Sequence, residues 1–181
     1  FTPNVDVLSR IKIGQLKSAR FKIEQRQLDI KNNKASSTDE IGELSKRDIL
    51  MLGIGIYWGE GSKSNENIRI INSDHRIIKV SIRWFKDICG LKISNFVPSV
   101  HLYPDVPTDA AIKYWSKVTK IPETQFGKTQ VDRRENKSKN RKNKLPYGTL
   151  HLQVKSCGDK KKGRSLHRKI MGWIEATINK I

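Results

Sequence analysis

The sequence predicts an α+β fold in which helices alternate with short strands behind a basic helical N-terminal segment. Three observations lead to this class. Apolar residues recur at helical intervals in several segments, β-branched or alternating runs lie between those segments, and polar turn residues separate the two kinds of segment. We divide the chain into an N-terminal segment with its linker, residues 1–45, and one compact domain, residues 46–181.

The charge of the chain indicates its partner. The sequence holds 36 Lys and Arg against 18 Asp and Glu, a net charge of +18, and so large a basic surplus is typical of nucleic-acid binding. An acidic membrane surface is the weaker alternative, because no segment approaches the roughly 18 apolar residues of a membrane span and the basic clusters are not amphipathic. We therefore predict a nucleic-acid partner and no membrane.

The two cysteines, Cys89 and Cys157, are isolated in the sequence. Their spacing fits neither a disulfide framework nor a zinc site. We therefore expect a reducing, cytoplasmic location. The chain begins with Phe1 rather than methionine, which leaves room for a preceding module.

The N-terminal segment is basic and helical in pattern. Residues 5–32 place apolar residues at roughly helical intervals among many Lys and Arg, which predicts one or two helices, and the polar residues 32–46 predict a linker. Ser45 is the expected N-cap of a helix over 46–58, because Asp48 then falls in the first turn, where the helix dipole favours an acid.

The remaining elements follow in order along the compact domain. We predict a strand at 68–72, a helix between Asp74 and Gly90, a strand at 93–105, a helix at 108–119, a strand at 147–156 and a final helix at 165–181. The strand at 147–156 has the clearest pattern, since Leu150, Leu152 and Val154 alternate with His151, Gln153 and Lys155. Such alternation predicts one buried face and one polar face. The polar face either reads base edges or is simply solvated, and the sequence leaves both interpretations open.

Two basic loops are the strongest candidates for phosphate contacts. Residues 132–144, "DRRENKSKNRKNK", hold seven Lys or Arg against two acids, and residues 158–164 read "GDKKKGR". The loop residues that we expect to bind phosphates are Arg133, Arg134, Lys137, Lys139, Arg141, Lys142, Lys144, Lys160, Lys161, Lys162 and Arg164. The predicted nucleic-acid-binding set also includes Lys63, Arg69, His101, His151 and Gln153.

The predicted helix at 46–58 contains unexpected glycines. Gly55 and Gly59 are four residues apart on one helical face, so a second helix can approach them closely. If that helix belongs to a second copy, the interface is two-fold, and the acid that follows, Glu60, lies near its symmetry mate. Two such carboxylates repel unless a cation lies between them, and hard oxygen ligands suit Mg²⁺, which polarises phosphate and activates water.

Two simpler interpretations of this helix stay open. The glycines can serve a packing contact within one chain, and Glu60 can cap a turn or pair with a surface lysine. The sequence alone does not choose between these interpretations and the paired helices.

The segment "GIGIYWGEG", residues 53–61, resembles the signature helix of LAGLIDADG homing endonucleases. Gly55 and Gly59 match the small packing positions of that helix, and Glu60 with Gly61 matches its closing acid-glycine pair. Trp58 departs from the pattern, because it replaces the first acid of the signature. The resemblance also leaves the family's first strand poorly visible and the helix at 108–119 extra.

The resemblance implies an αββαββα core with an antiparallel, saddle-shaped sheet over residues 46–181. It also implies a homodimer that binds double-stranded DNA and hydrolyses its phosphodiester bonds, with Mg²⁺ held by Glu60 of each copy. By topology, Asn72, Arg76 and Lys155 match supporting catalytic positions. Relatives that have lost cleavage imply one alternative, a non-cleaving DNA-binding protein or transcription regulator. Members that assist intron splicing imply another, an RNA-binding splicing factor, and the lysine-rich loops would also suit a folded RNA.

Overall fold

The computed structural model describes residues 5–132 and 145–181. The chain divides into two units, one ending at Leu44 and one running from Ser45 to Ile181. The first unit contains a single helix, α1 (Val5–Ile41), whose side chains from residue 6 onward are exposed. The predicted linker is wrong over residues 32–41, because this stretch contains neither proline nor glycine and the helix continues to Ile41. It ends before Gly42, which has a left-handed φ of 56°.

The second unit alternates helices and strands, which confirms the α+β class. Its helices are α2 (Lys46–Glu60), α3 (His75–Asp87), α4 (Thr108–Thr119) and α5 (Arg164–Ile178). Its strands are β1 (Arg69–Asn72), β2 (Phe96–Leu102), β3 (Gln130–Val131) and β4 (Thr149–Val154). Every helix and strand predicted for this unit is present within a few residues of its expected bounds, and β3 is an addition.

The four strands form one mixed sheet in the order β1-β4-β2-β3. β4 is antiparallel to β1 and to β2, whereas β3 runs parallel to β2. The expectation of an antiparallel sheet is therefore wrong at β3. The reason is that α4 lies in the connection from β2 to β3 and returns the chain in the same direction, as a crossover does.

One strand, β1, lies between α2 and α3, where the resemblance implies two. Gly61 makes an isolated antiparallel bridge to Ile70 of β1 instead of opening a further strand. The chain after α2 therefore runs briefly along the β1 edge of the sheet before it turns.

The core lies between the helices and one face of the sheet. Leu150, Leu152 and Val154 are buried, as their alternation predicts, and they join one hydrophobic cluster with side chains of α2, α3, α4 and α5. Trp84 and Trp115 are fully buried members of that cluster. Within the described ranges, no helix has both the length and the apolar character needed to cross a bilayer.

The start of α2 forms as predicted. The Ser45 hydroxyl accepts a hydrogen bond from the Asp48 amide at 3.2 Å, and the Asp48 carboxylate accepts one from the Ser45 amide at 2.8 Å. This reciprocal pair satisfies two amides that the helix leaves unpaired. The Ser45 hydrogen bonds also lower the pKa of Asp48.

Candidate nucleic-acid interface

The face of the sheet opposite the helices carries side chains in three cross-strand rows, which we call the open sheet face. The rows are Arg69-Gln153-Val97, Ile71-His151-Ser99 and Thr149-His101-Gln130. Residues paired across neighbouring strands project to the same side of a sheet. All nine are half-buried or exposed, so this surface is accessible and mostly polar among the described residues.

Two histidines lie side by side on the open sheet face. The ring centroids of His101 and His151 are 5.5 Å apart, with the planes 74° from parallel. Burial, together with the nearby His101 and Arg69, holds the pKa of His151 below its ordinary value. A neutral imidazole both donates and accepts hydrogen bonds, which suits contacts to base edges.

Glu60 lies at the edge of the open sheet face. It is the exposed last residue of α2. The next residue, Gly61, bridges Ile70 of β1 in antiparallel register, so Glu60 lies where the end of α2 meets the β1 edge of the sheet. The structure therefore places the predicted metal ligand at this edge, with β1 between it and the predicted DNA-reading strand β4.

The path of the chain after Glu60 is held by two side chains of the core. The Tyr57 hydroxyl donates to the Ser62 carbonyl oxygen at 2.8 Å, and Nε2 of His167 lies 3.2 Å from the same oxygen. Desolvation on burial raises the pKa of Tyr57 to about 12, so its hydroxyl keeps the proton that it donates. His167 is a buried structural residue.

The outer face of α2 is exposed and partly apolar; it comprises Met51, Leu52, Gly55, Trp58 and Gly59. The three large side chains are 38%, 45% and 46% exposed in sequence order. Apart from the chain neighbours of each glycine and the nearby backbone of α2 itself, no described atom lies within 4 Å of a Cβ built on Gly55 or Gly59. The packing glycine within the chain is Gly53, whose added Cβ would overlap the Trp84 indole. Gly55 and Gly59 have no such role among the described residues.

Two of the other predicted catalytic residues, Asn72 and Arg76, make their hydrogen bonds at the start of α3. Asn72 accepts a hydrogen bond from the Asp74 amide at 2.7 Å, and Arg76 contacts the Asp74 carboxylate at 2.7 Å. The Arg76 hydrogen bonds hold the pKa of Asp74 at about 2. Both residues thus organise the N-terminus of α3.

Lys155 lies at the other end of the sheet from Asn72. It is four residues beyond His151 along β4, which corresponds to about 13 Å. Its amide donates to the Asn95 carbonyl oxygen at 2.7 Å, and its side chain is exposed. The structure therefore separates Lys155 from the Glu60 end of the open sheet face.

The predicted phosphate contacts fall in three places. Lys63 is exposed shortly after α2, and Lys160, Lys161 and Lys162 form a 3₁₀ turn capped by Asp159. Arg164 opens α5. The predicted residues Arg133, Arg134, Lys137, Lys139, Arg141, Lys142 and Lys144 lie outside the described residues.

Sequence reasoning missed three polar members of the open sheet face: Ser99, Gln130 and Thr149. Ser99 could have been predicted, since it lies two residues before His101 on an alternating strand. Gln130 could not have been predicted, because β3 spans two residues and has no sequence pattern of its own.

The chain matches no protein-family model, no curated protein and no solved structure. Across residues 5–132 and 145–181, no group of three His, Cys, Asp or Glu side chains could hold a metal ion. One copy therefore offers Glu60 without a complete set of protein ligands around it in the described part of the chain.

Proposed function

We propose that residues 45–181 bind double-stranded DNA on the open sheet face, and that two copies form a Mg²⁺-dependent endonuclease that hydrolyses phosphodiester bonds. The observation that carries the proposal is the placement of one exposed acid, Glu60, at the β1 edge of a sheet whose accessible face carries side chains that can read bases. Net charge supports a polyanionic substrate, because residues 45–181 hold 28 of the 36 basic and 12 of the 18 acidic residues, a net +16.

The open sheet face has the side chains that base recognition uses. Arg69 and Gln153 are paired across β1 and β4, and Arg and Gln make two-point hydrogen bonds to guanine and adenine in the major groove. His101 and His151 add ring nitrogens that can donate or accept hydrogen bonds in the next rows. The basic loops then supply contacts to phosphates, which fix position without reading sequence.

Cleavage requires a second copy in this proposal. The outer face of α2 lets two helices approach at Gly55 and Gly59, and this pairing brings two Glu60 carboxylates together. Mg²⁺ keeps several waters and needs only one or two carboxylates plus substrate phosphate, so the lack of a three-residue cluster in the described part of one copy is compatible with the site. The ion would polarise the scissile phosphate and activate water.

Glu60→Gln is the decisive substitution for cleavage. Incubated with a library of duplex targets and Mg²⁺, the wild-type protein should cut at least one target. The variant should bind that target with unchanged affinity and leave it intact, because the amide is a poor Mg²⁺ ligand. Glu175→Gln, an exposed acid on α5, is the matched control and should cut normally. Equal cleavage by the Glu60 variant, or no cleavage of any target by the wild type, would contradict the nuclease assignment.

A non-cleaving DNA-binding protein is the second candidate. Trp58 stands where the LAGLIDADG signature has its first acid, so each copy brings one acid fewer to the proposed site. Metal-independent DNA binding that survives Glu60→Gln, without nicking, would favour this candidate. Competition between duplex DNA and a folded RNA at fixed salt would distinguish both from an RNA-binding protein, since RNA helices present a different groove shape.

A further inference from the structure

A groove of 370 Å³ continues the open sheet face past the end of β4. Its walls are residues 66–68 after α2, residues 153–157 and residues 163–164 at the start of α5. Gln153 belongs both to the groove and to the row that it shares with Arg69. A nucleic-acid strand lying on that row therefore has a direct path into the groove.

The lining of the groove is basic. Lys155 and Arg164 lie on its walls, and both side chains are exposed. Lys160 and Lys161 are exposed in the turn that precedes α5. Exposed cationic side chains at and near a groove of this size suit an anion that is itself partly solvated, as a backbone phosphate is.

Glu66 is the one acid among the residues that line the groove. Its carboxylate accepts a hydrogen bond from Nε of Arg168 at 2.6 Å and lies 3.8 Å from Nε of Arg164. The two arginines are four residues apart and share one face of α5. The hydrogen bond from Arg168 holds the pKa of Glu66 below its ordinary value, so the carboxylate is ionised at neutral pH.

The backbone that carries Glu66 adopts an uncommon conformation. Asn65 and Glu66 have φ angles of 60° and 49°, and the left-handed region is disfavoured for residues that have a Cβ. The contacts of Glu66 with Arg164 and Arg168 connect this loop to α5.

We propose that the groove binds a backbone phosphate of the nucleic acid on the open sheet face, and that Glu66 occupies the phosphate's place beside Arg164 and Arg168 in the free protein. The inference rests on the proposed nucleic-acid function. A carboxylate and a phosphodiester both present a pair of oxygens to a guanidinium group. Glu66 thus competes with phosphate for the two arginines, and the nucleic acid displaces it on binding. The same competition lowers the affinity of the groove for small anions that make no contact with the open sheet face.

Glu66→Gln tests the competition. The variant should bind duplex DNA several-fold more tightly than the wild type at the same salt concentration, because it frees both arginines for phosphate. Glu175→Gln removes the same charge from the far end of α5 and should have a smaller effect. The gain from Glu66→Gln should vanish in a protein that also carries Arg164→Gln and Arg168→Gln. Circular dichroism checks that each variant is folded.

The salt dependence gives a second measurement. If the groove holds one phosphate, Arg164→Gln should reduce the slope of log affinity against log salt by about 0.9. Equal gains from Glu66→Gln and Glu175→Gln, or a gain that persists without the two arginines, would overturn the inference.

Failure of the groove and failure of the proposed function give different results. If His101→Ala and His151→Ala abolish DNA binding while Glu66→Gln and Arg164→Gln bind as the wild type does, the open sheet face stands and the groove inference is wrong. If the wild-type protein binds neither DNA nor RNA, both are wrong.

Discussion

The glycines of α2 show how the same residue has different consequences at neighbouring positions. Gly53 is buried against the indole of Trp84, so that the absence of a side chain brings α2 and α3 together. Gly55 and Gly59 face open space among the described residues. The spacing along the sequence indicated a glycine face, but it selected the pair that packs against no other element in the described part of the chain.

Substituting Gly53 and Gly55 by alanine should therefore change the free energy of unfolding in opposite directions. Gly53→Ala should lower the free energy of unfolding by about 1–3 kcal/mol, because the new methyl group displaces a fully packed tryptophan. Gly55→Ala should raise the free energy of unfolding of the monomer by up to about 1 kcal/mol, because alanine has a higher helix propensity than glycine. Urea denaturation monitored by Trp fluorescence measures both.

The same variants bear on pairing between copies. If α2 pairs with α2 of a second copy, Gly55→Ala should weaken that dimer in sedimentation measurements even while it stabilises the monomer. Destabilisation of the monomer by Gly55→Ala, or no effect of Gly53→Ala, would contradict the packing described above.

At the scale of elements, the strand β4 contributes side chains to both faces of the sheet. Its Leu150, Leu152 and Val154 enter the core, and its intervening residues lie on the open sheet face between β1 and β2. The central position of β4 sets His151 close to His101 of β2 and within the influence of Arg69 of β1. The pKa of His151 therefore depends on the packing of β1, β2 and β4 together.

Lowering the pH should reduce the folding stability of the free protein and raise its affinity for DNA. Since the folded pKa of His151 lies below its unfolded value of about 6.5, the unfolded chain takes up the proton first, and the His151 contribution to stability is lost as the pH falls from that value through the folded pKa. Bound polyanion favours the protonated ring, so DNA affinity should rise over the same range.

His151→Gln is the control for both effects. Thermal unfolding and DNA binding measured between pH 5 and pH 8, a range chosen around the ordinary histidine pKa, should each lose part of their pH dependence in this variant. An unchanged pH profile for binding would place His151 away from the nucleic acid.

At the scale of the whole molecule, the two units differ in what stabilises them. The buried hydrophobic cluster draws on residues between Ile49 and Ile174, all within the second unit. The described side chains of α1 are exposed, including apolar ones such as Phe21 and Leu28. Long helices in proteins gain most of their stability from tertiary packing, which α1 does not have within its own unit.

A fragment spanning Ser45–Ile181 should therefore fold without the preceding residues. We expect it to unfold cooperatively in a thermal scan, with the secondary structure expected for four helices and a sheet. The peptide of residues 1–44 alone should be only partly helical by circular dichroism. Non-cooperative unfolding of the fragment would show that its core needs the N-terminal segment.

The sequence by itself determined the type of most elements and the character of their surfaces. The capping box of Ser45 and Asp48, the alternation of β4 and the stop at Gly90 are encoded in a few neighbouring residues, because caps, turns and strand faces depend on local geometry. The basic surplus is likewise a property of composition alone. The position of Glu60 after a glycine-containing helix was also evident from the sequence.

The tertiary structure decided which of these residues and strands contact one another. The parallel edge strand β3, the contact of Gly53 with Trp84, the separation of Lys155 from Glu60 and the capture of Glu66 by Arg164 and Arg168 all join residues far apart in the chain. Strand order, register and helix packing arise from such distant contacts, whose energies no local pattern encodes. The sequence thus determined the parts and their charges, and the packing of the core decided how they are arranged into a surface.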